Sequence, residues 1–567
     1  MNHDLAAAAP YGIGIACLTF QTMPPGFTNA EQDIIAIRAT ADFMTPSTRQ
    51  TAQTNSPSSR AMIATPHWQA SEAGAKVLRR GGNAIEALVA AGAALSVTYP
   101  HFCGLGGDAV WLVADEIGNA QTFLGIGQAA AAIPRGDILL RGAASTLTTA
   151  CLVDSWEKVL AYSADEWGGT ERLPALLDDA IALADAGFEV SRSQAFWYEF
   201  RRDELEGWPG FTGLFQSGGI QHQPALAQTL KAIARHGTRE FYEGALARRI
   251  VNGLAEAGSP LSAADLAATR TDVAAPLQQA YRDTILLAPP PPTQGITTLA
   301  IMGVLDHLPM ANFRPDGPAY YHALVEAVKQ AFLDRHAIAD PRFAEDASKY
   351  LLDPMRLAAK AAAIDPARAL PWPQDYRHGD TALLAAVDAN GRCASLLQSL
   401  YFDWGSGVVV GDTGLLWQNR GAAFSTDPVN PNCIQPGKRP FYTLNPGLAL
   451  KDGRPHLVYG TQGADGQPQT LSLLLSLLID HGLDPAAALA RPRFLLGRTF
   501  SDSRDSLKIE ENIGAETVSA LAAMGHEIST IDAFSPLGGQ AGIIRIGEDG
   551  AIDGAHDPRS DGGAILL

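Results

Sequence analysis

One hydroxyl in the chain stands at a junction where it could act on the chain itself. The stretch 365–380, DPARALPWPQDYRHGD, holds three prolines and several charges without a period, the composition of an exposed linker. It runs straight into TALLAAVD (381–388), a strand by composition whose first residue is Thr381. A threonine hydroxyl held against the carbonyl of Asp380 can attack it, shift the acyl group from nitrogen to oxygen, and let water release a new chain starting at Thr381. The freed α-amine, with a reference pKa of about 8, then lies beside the same hydroxyl and accepts its proton. Such a nucleophile carries its own base, so no histidine, metal or organic cofactor is implied. The plain alternative is that Thr381 is an ordinary β-branched residue opening a strand.

Other chemistries lack their signatures. No GxSxG, HExxH or P-loop occurs. GIGQAA (125–130) fits the loose form GxGxxA, but no suitable acidic residue follows about 20 positions on to hold a ribose. His322 and Glu326 stand at i,i+4 and could present two metal ligands, yet without a third partner the pair reads as a surface contact. Cys17, Cys103, Cys151, Cys393 and Cys433 are scattered, odd in number and without a CxxC, so they read as small core hydrophobes.

The elements that must position Thr381 follow from pattern. The hairpin signal is TALLAAVD, the turn Ala389-Asn390-Gly391, and RCASLLQSLYF (392–402), because Asn-Gly supplies positive φ between apolar runs. The same logic predicts a second hairpin over 406–419 (SGVVV, GDTG, LLWQN), and further strands near 447–450, 456–460, 542–546 and 551–554. Upstream, a helical stretch 68–80 stops at Gly81-Gly82-Asn83 and an Ala-rich, closely packed helix follows over 84–97. GLGGD (104–108) opens two short strands around a Gly-Asn turn, TILLAP is a strand, and a helix begins near Gly295. Residues 319–337 form an amphipathic helix by period, with further helices at 468–481 and 515–524. Long helices followed by hairpin-linked strands predict a layered α+β fold.

Composition bounds the function. The chain has 567 residues, 46% of them hydrophobic and 18% charged, which is globular rather than disordered. A net charge of −18 repels phosphate backbones and anionic headgroups, so neither nucleic acid nor membrane is an expected partner. The longest apolar runs fall well short of the ~20 residues of a spanning helix. The N-terminus carries Asp4 and no Lys or Arg before its apolar run, so a cytoplasmic location is expected, with the periplasm as alternative. Residues 1–60 end in a polar, aperiodic stretch and read as a loosely attached extension.

Ordered segments across the chain from about Arg60 resemble the gamma-glutamyltranspeptidase family of N-terminal-nucleophile hydrolases. They include RGGNAIEALVAA (80–91), YPHFCGLGGD (99–108), APPPPTQG (288–295), AVKQAFLDR (327–335), GDTALLAAVDANG (379–391), WGSGVVVGDTGLLWQN (404–419), PGKRPFYTLNP (436–446), ALARPRF (488–494) and GAHDPRSDG (554–562). The resemblance implies a four-layer αββα sandwich and cleavage between Asp380 and Thr381. The resulting fragments, 61–380 with any extension and 381–567, of about 40 and 20 kDa by length, would remain associated. It places Thr381 as nucleophile and Ser399 where the family has a second threonine bonded to it. It also matches Gly463 and Ala464 in YGTQGADGQPQT to the two backbone donors of the oxyanion hole. That turn precedes a helix, so free amides and the positive helix end converge. Ala464 replaces a family glycine, and its donor is expected to survive provided φ there is negative.

The departures bear on substrate. The arginine that holds a glutamyl α-carboxylate in the family is replaced by Ile126, and a threonine-histidine pair after the nucleophile by Ala382 and Leu383. A substrate-contacting asparagine aligns with Tyr401, the glutamine and aspartate that hold the glutamyl amino group with Arg420 and Ala423, and paired serines with Tyr442 and Thr443. Exchanging a carboxylate for an arginine turns a cavity for an ammonium into one for an anion. The expected substrate is therefore a small anionic amide such as oxamate, hydrolysed to release ammonia. Glutathione hydrolysis or glutamyl transfer in a rearranged pocket, and a non-catalytic relative, are the alternatives.

Overall fold

The structure, a computed structural model, describes residues 60–372, 380–498 and 504–567. The expected extension up to residue 59 and the linker residues 373–379, His378 and Gly379 among them, lie outside the described residues. Strands β1 (Met62–Thr65), β2 (Asp108–Ala114), β3 (Ala120–Gly125), β4 (Asp272–Ala274), β5 (Leu277–Tyr281), β6 (Thr284–Ala288), β7 (Asp380–Val387), β8 (Cys393–Tyr401), β9 (Gly447–Lys451), β10 (Arg454–Thr461), β11 (Ala541–Ile546), β12 (Ile552–His556) and β13 (Gly563–Leu566) form two antiparallel sheets. Their orders are β13-β1-β7-β8-β2-β3-β4 and β12-β11-β10-β9-β6-β5.

The sheets stack face to face. Leu383, Ala385 and Val387 of β7 meet residues of the second sheet, including Val458 and Ile544, in the dry layer between them. Alternate residues Ala382, Leu384 and Ala386 point the other way, into a helical layer. That layer contains α1 (Trp68–Arg79), α2 (Ala84–Thr98) and α3 (Leu173–Ala186). Every residue of α2 is buried, which its alanines permit because small side chains let backbones approach closely on both sides. Asn83 and Glu86 close its start with a reciprocal capping box. The outer layer on the second sheet contains α4 (Gly295–Asp306), α5 (Pro318–Phe332) and α6 (Gln467–Ile479). The architecture is thus helices, sheet, sheet, helices, the four-layer αββα sandwich expected.

The β7–β8 hairpin forms as read. Its turn is organised by Asp388, whose Oδ1 accepts the N–H of Asn390 and Arg392, with Gly391 at φ 87°. Two expectations need correction and a third is met only irregularly. Residues 406–419 do fold back on themselves, with Ser406 N–H donating to Trp417 O, Trp417 N–H to Val408 O and Val410 N–H to Leu415 O, but only one bridge, Val409 to Leu416, forms and Gly407, Gly411 and Gly414 stand at positive φ. Helix α5 is not amphipathic in place, for Tyr320 to Phe332 are all buried and His322, Glu326 and Lys329 find their partners inside the protein. Finally, residues 365–370 are not a loose linker: Ala369 N–H donates to Met524 O, and Leu370 is held at both its N–H and its carbonyl by α5.

Candidate active site

Thr381, second residue of β7, is fully buried. The β7–β8 ladder runs in register to Ala382↔Gln398 and resumes at Asp380↔Tyr401, so the bulge at Ser399 and Leu400 lies opposite Thr381. The GLGGD turn presses on this bulge from the other side. A Cβ on Gly107 would come within 2.2 Å of Ser399 O, so only glycine fits. Ser399 Oγ accepts the N–H of Tyr401 at 2.8 Å, holding Tyr401 at φ 85°, a left-handed backbone that costs a tyrosine about 1–2 kcal/mol. The bulge and this strain throw the Tyr401 side chain against Arg420.

Arg420 is also fully buried. Its guanidinium lies between two rings, with Cζ 4.0 Å from the Tyr401 centroid and 3.7 Å from that of Tyr442. Nη1 reaches Thr443 Oγ1 at 3.4 Å, whereas Nε and Nη2 have no hydrogen-bond partner among the described residues. Among the described residues no carboxylate forms an ion pair with it. Asp108 is near enough to feel its charge but is already engaged. Its Oδ2 accepts from Tyr442 Oη at 2.6 Å, and Oδ1 from the N–H of Cys151 and Gly127 at 2.7 and 3.1 Å. Burial nevertheless pushes the Asp108 carboxyl up from its ordinary range, and it pushes the Tyr442 phenol well above 10. The four residues expected to bind substrate, Tyr401, Arg420, Tyr442 and Thr443, therefore meet around one cation.

The glycine turn Gly463-Ala464 precedes α6. Among the described residues neither N–H has an acceptor. The condition set on Ala464 fails, since its φ is +45°. A left-handed residue followed by the right-handed turn 464–466 is the alternation that gathers successive N–H groups into an anion-binding concavity, so the donor does not depend on negative φ. Gln294 ties this turn to the arginine pocket: its Nε2 donates to Thr443 O and to Ala464 O, both at 2.7 Å. Arg335 in turn holds Gln294 Oε1 at 2.9 Å and pairs with Asp465. Gln467, at the start of α6, donates from Nε2 to Thr381 Oγ1 at 3.3 Å. Asp108, Gln294, Arg335, Asp465 and Gln467 were not singled out in the sequence, although all five fall inside segments that carry the family resemblance or the oxyanion turn.

Two other sequence readings resolve differently. Ile126 is buried with Leu383 and Tyr442 between the sheets, where it is a packing residue. His322 and Glu326 are buried rather than on the surface, and His526 joins them so that their ligand atoms lie within 4.8 Å of one another. Their own contacts occupy them. The Asp365 carbonyl can only accept, so His322 Nε2 donates to it at 2.8 Å and its Nδ1 accepts from His526 Nε2 at 2.8 Å. Lys329 Nζ, 2.8 Å from Glu326 Oε1, already takes the place of a cation there. Burial and this ammonium hold the His526 pKa down to about 3, a neutral structural histidine. Cys103, Cys151 and Cys393 are free and buried, as expected, and Cys433 is half-buried. No helix among the described residues is long and apolar enough to cross a membrane.

A family model described as gamma-glutamyltranspeptidase matches residues 70–567. The chain is 41% identical over 522 residues to the oxamate amidohydrolase proenzyme of Klebsiella pneumoniae subsp. pneumoniae, covering 89% of this chain and 98% of that one. It is 38% identical over 519 residues to the glutathione hydrolase-like YwrD proenzyme of Bacillus subtilis, with the same coverage. Among solved structures, cephalosporin acylase from Bacillus halodurans superposes with a TM-score of 0.81 at 29% identity, covering 90% of this chain and 96% of that one.

Proposed function

The chain belongs to the gamma-glutamyltranspeptidase family and is an amide-bond hydrolase of the N-terminal-nucleophile type; from that premise we propose that it cleaves itself between Asp380 and Thr381 and then hydrolyses a small anionic amide such as oxamate. In this reading Thr381 Oγ1 is the nucleophile, its freed α-amine the base, and Ser399 the second hydroxyl beside it. The N–H groups of Gly463 and Ala464 receive the oxyanion, and Arg420 clamps the substrate carboxylate with Tyr401, Tyr442 and Thr443 around it. The topology supports continued association of the two fragments, because β7 and β8 sit between β1 and β2 and would hold them in one sheet after the cut.

The observation that carries the substrate class is Arg420, a fully buried guanidinium whose Nε and Nη2 are unpartnered among the described residues. A buried charge without a counter-ion costs several kcal/mol, and a bound carboxylate would remove that cost while filling both free donors. The relatives named for oxamate and for glutathione set the two arms of the test. Intact mass and N-terminal sequencing of the purified protein should show two pieces, the smaller beginning at Thr381, and Thr381→Ala should give one uncut, inactive chain. Ammonia release from oxamate should exceed glutamate release from glutathione. The reverse order would replace the anionic amide by a glutamyl substrate.

A further inference from the structure

The pocket around Thr381 holds three kinds of unmet group, and two of them already have a role in the reading above. Arg420 offers cationic donors for a carboxylate, and the Gly463-Ala464 turn offers N–H donors for a carbonyl oxygen. The third is an acceptor. Gln467 is fully buried, its Nε2 is spent on Thr381 Oγ1, and its Oε1 has no partner among the described residues. A buried amide oxygen without a donor costs roughly 1–3 kcal/mol. Gln467 stands at the first position of α6, directly after the turn that holds the oxyanion donors. Whatever sits with its carbonyl oxygen at that turn and its carbon at Thr381 Oγ1 therefore brings its remaining substituents close to the Gln467 carboxamide.

We propose that Gln467 Oε1 accepts an N–H of the scissile carboxamide, making it a specificity-determining residue that selects amides bearing a free N–H and holds the leaving nitrogen. The proposal rests on the self-cleaving amidohydrolase reading of the same site. An oxamate-like molecule carries one feature for each unmet group: a carboxylate, a carbonyl oxygen and an NH2. As Thr381 Oγ1 bonds the amide carbon, its proton passes to the freed α-amine. The C–N bond then breaks as the nitrogen takes that proton and leaves as ammonia. Water next attacks the ester through the same amine, releasing the acid and restoring Oγ–H. Through the first half of this cycle, an acceptor on the nitrogen keeps its N–H bonds oriented and leaves its lone pair free for the incoming proton. The Nε2 donor meanwhile stays on Oγ1 while it bears partial negative charge.

The test compares an amide with an ester of the same acid, because the ester has no N–H. In Gln467→Met, assayed as protein that intact mass shows to be cut, kcat/KM should fall on both substrates through loss of the Nε2 donor to Thr381 Oγ1, and should fall at least 10-fold further on oxamate than on the monomethyl ester of oxalate. Equal losses on the two substrates would mean that Gln467 only positions the Thr381 hydroxyl, and would overturn the proposal. Should the variant fail to fold, the wild-type enzyme answers alone. Oxamate must then bind at least 10-fold more tightly than N,N-dimethyloxamate measured as an inhibitor, and equal binding overturns the proposal. A wild type inert toward oxamate but active on glutamine would remove the anion-clamp reading and leave this one standing, to be read on glutamine against the γ-methyl ester of glutamate. Inertness toward every amide would overturn both.

Discussion

Two buried regions of this molecule hold arginines away from water and treat their charge in opposite ways. In the first, Arg493 and Arg559 face Asp557 and Glu510, and all four side chains are shut off from solvent. Arg559 spends every nitrogen: Nε and Nη2 on Glu510, Nη1 on Asp557 and Leu489 O, with Nη2 also on Arg491 O. Arg493 keeps free N–H groups but sits 3.0 Å from Asp557, so two cations meet two anions. In the second region Arg420 has tyrosine faces where the first has paired carboxylates, and two nitrogens without a partner among the described residues. The first region is complete without a ligand, and the second is complete only with one. Burial alone therefore does not mark a functional arginine; the state of its counter-charge does.

The strongest way to break this contrast is to remove each cation in turn. Arg559→Met should strand Glu510 and Asp557 as buried anions short of a partner and lower stability by about 3–5 kcal/mol. Its urea midpoint should fall sharply, or soluble protein should disappear. Arg420→Met removes a charge that no carboxylate among the described residues pairs with directly, Asp108 being taken up by Tyr442 and two backbone N–H groups, so its melting temperature should stay level or rise. If both variants lose stability alike, Arg420 is a structural cation and the pocket is not an anion site.

The next effect is smaller and kinetic. Arg420→Met should still cleave itself, while its KM for oxamate should rise. Losing one partner of a buried, hydrogen-bonded charge pair costs about 2–5 kcal/mol, or roughly 30-fold to several thousand-fold. A neutral amide such as oxamide should be turned over no worse than by the wild type. An equal loss on the neutral amide would show that the guanidinium supports the geometry of Tyr401 and Tyr442 rather than reading the substrate's charge.

How much of this was legible in the sequence depends on the range of each contact. The β7–β8 hairpin and Thr381 at its head are local, written in Asn390-Gly391 and the apolar runs beside it. The pocket residues Tyr401, Arg420, Tyr442 and Thr443 were visible only as exchanges within a family resemblance. What closes the pocket was not visible, because Tyr442 reaches Asp108 across 334 residues of chain and Gln294 reaches Thr443 and Ala464 across 149 and 170. The errors have the same source. Glu326 and Lys329 gave α5 a polar stripe that suggested a surface, yet they satisfy each other and Leu370 inside the protein. The apolar runs at 406–419 suggested two regular strands, where positive-φ glycines leave an irregular hairpin with one bridge.

Backbone strain occurs in both regions, and at the oxyanion turn it yields the smallest of the effects. Tyr401 and Ala464 are non-glycine residues at positive φ, and so is Phe534, whose ring centroid lies 5.0 Å from Arg559 Cζ. Ala464→Gly would relieve roughly 1–2 kcal/mol of steric cost at φ +45°, offset by about 0.4–1 kcal/mol of added freedom in the unfolded chain. The melting temperature should therefore rise slightly. Because the N–H that would receive the oxyanion is unchanged by the loss of a methyl group, kcat should stay within about 3-fold of the wild type, some 0.7 kcal/mol. A fall in stability would show that the buried methyl group packs well enough to outweigh the strain. A fall in kcat beyond that range, with stability raised, would show that the alanine fixes the direction of the donor, and that strain at this turn serves the reaction.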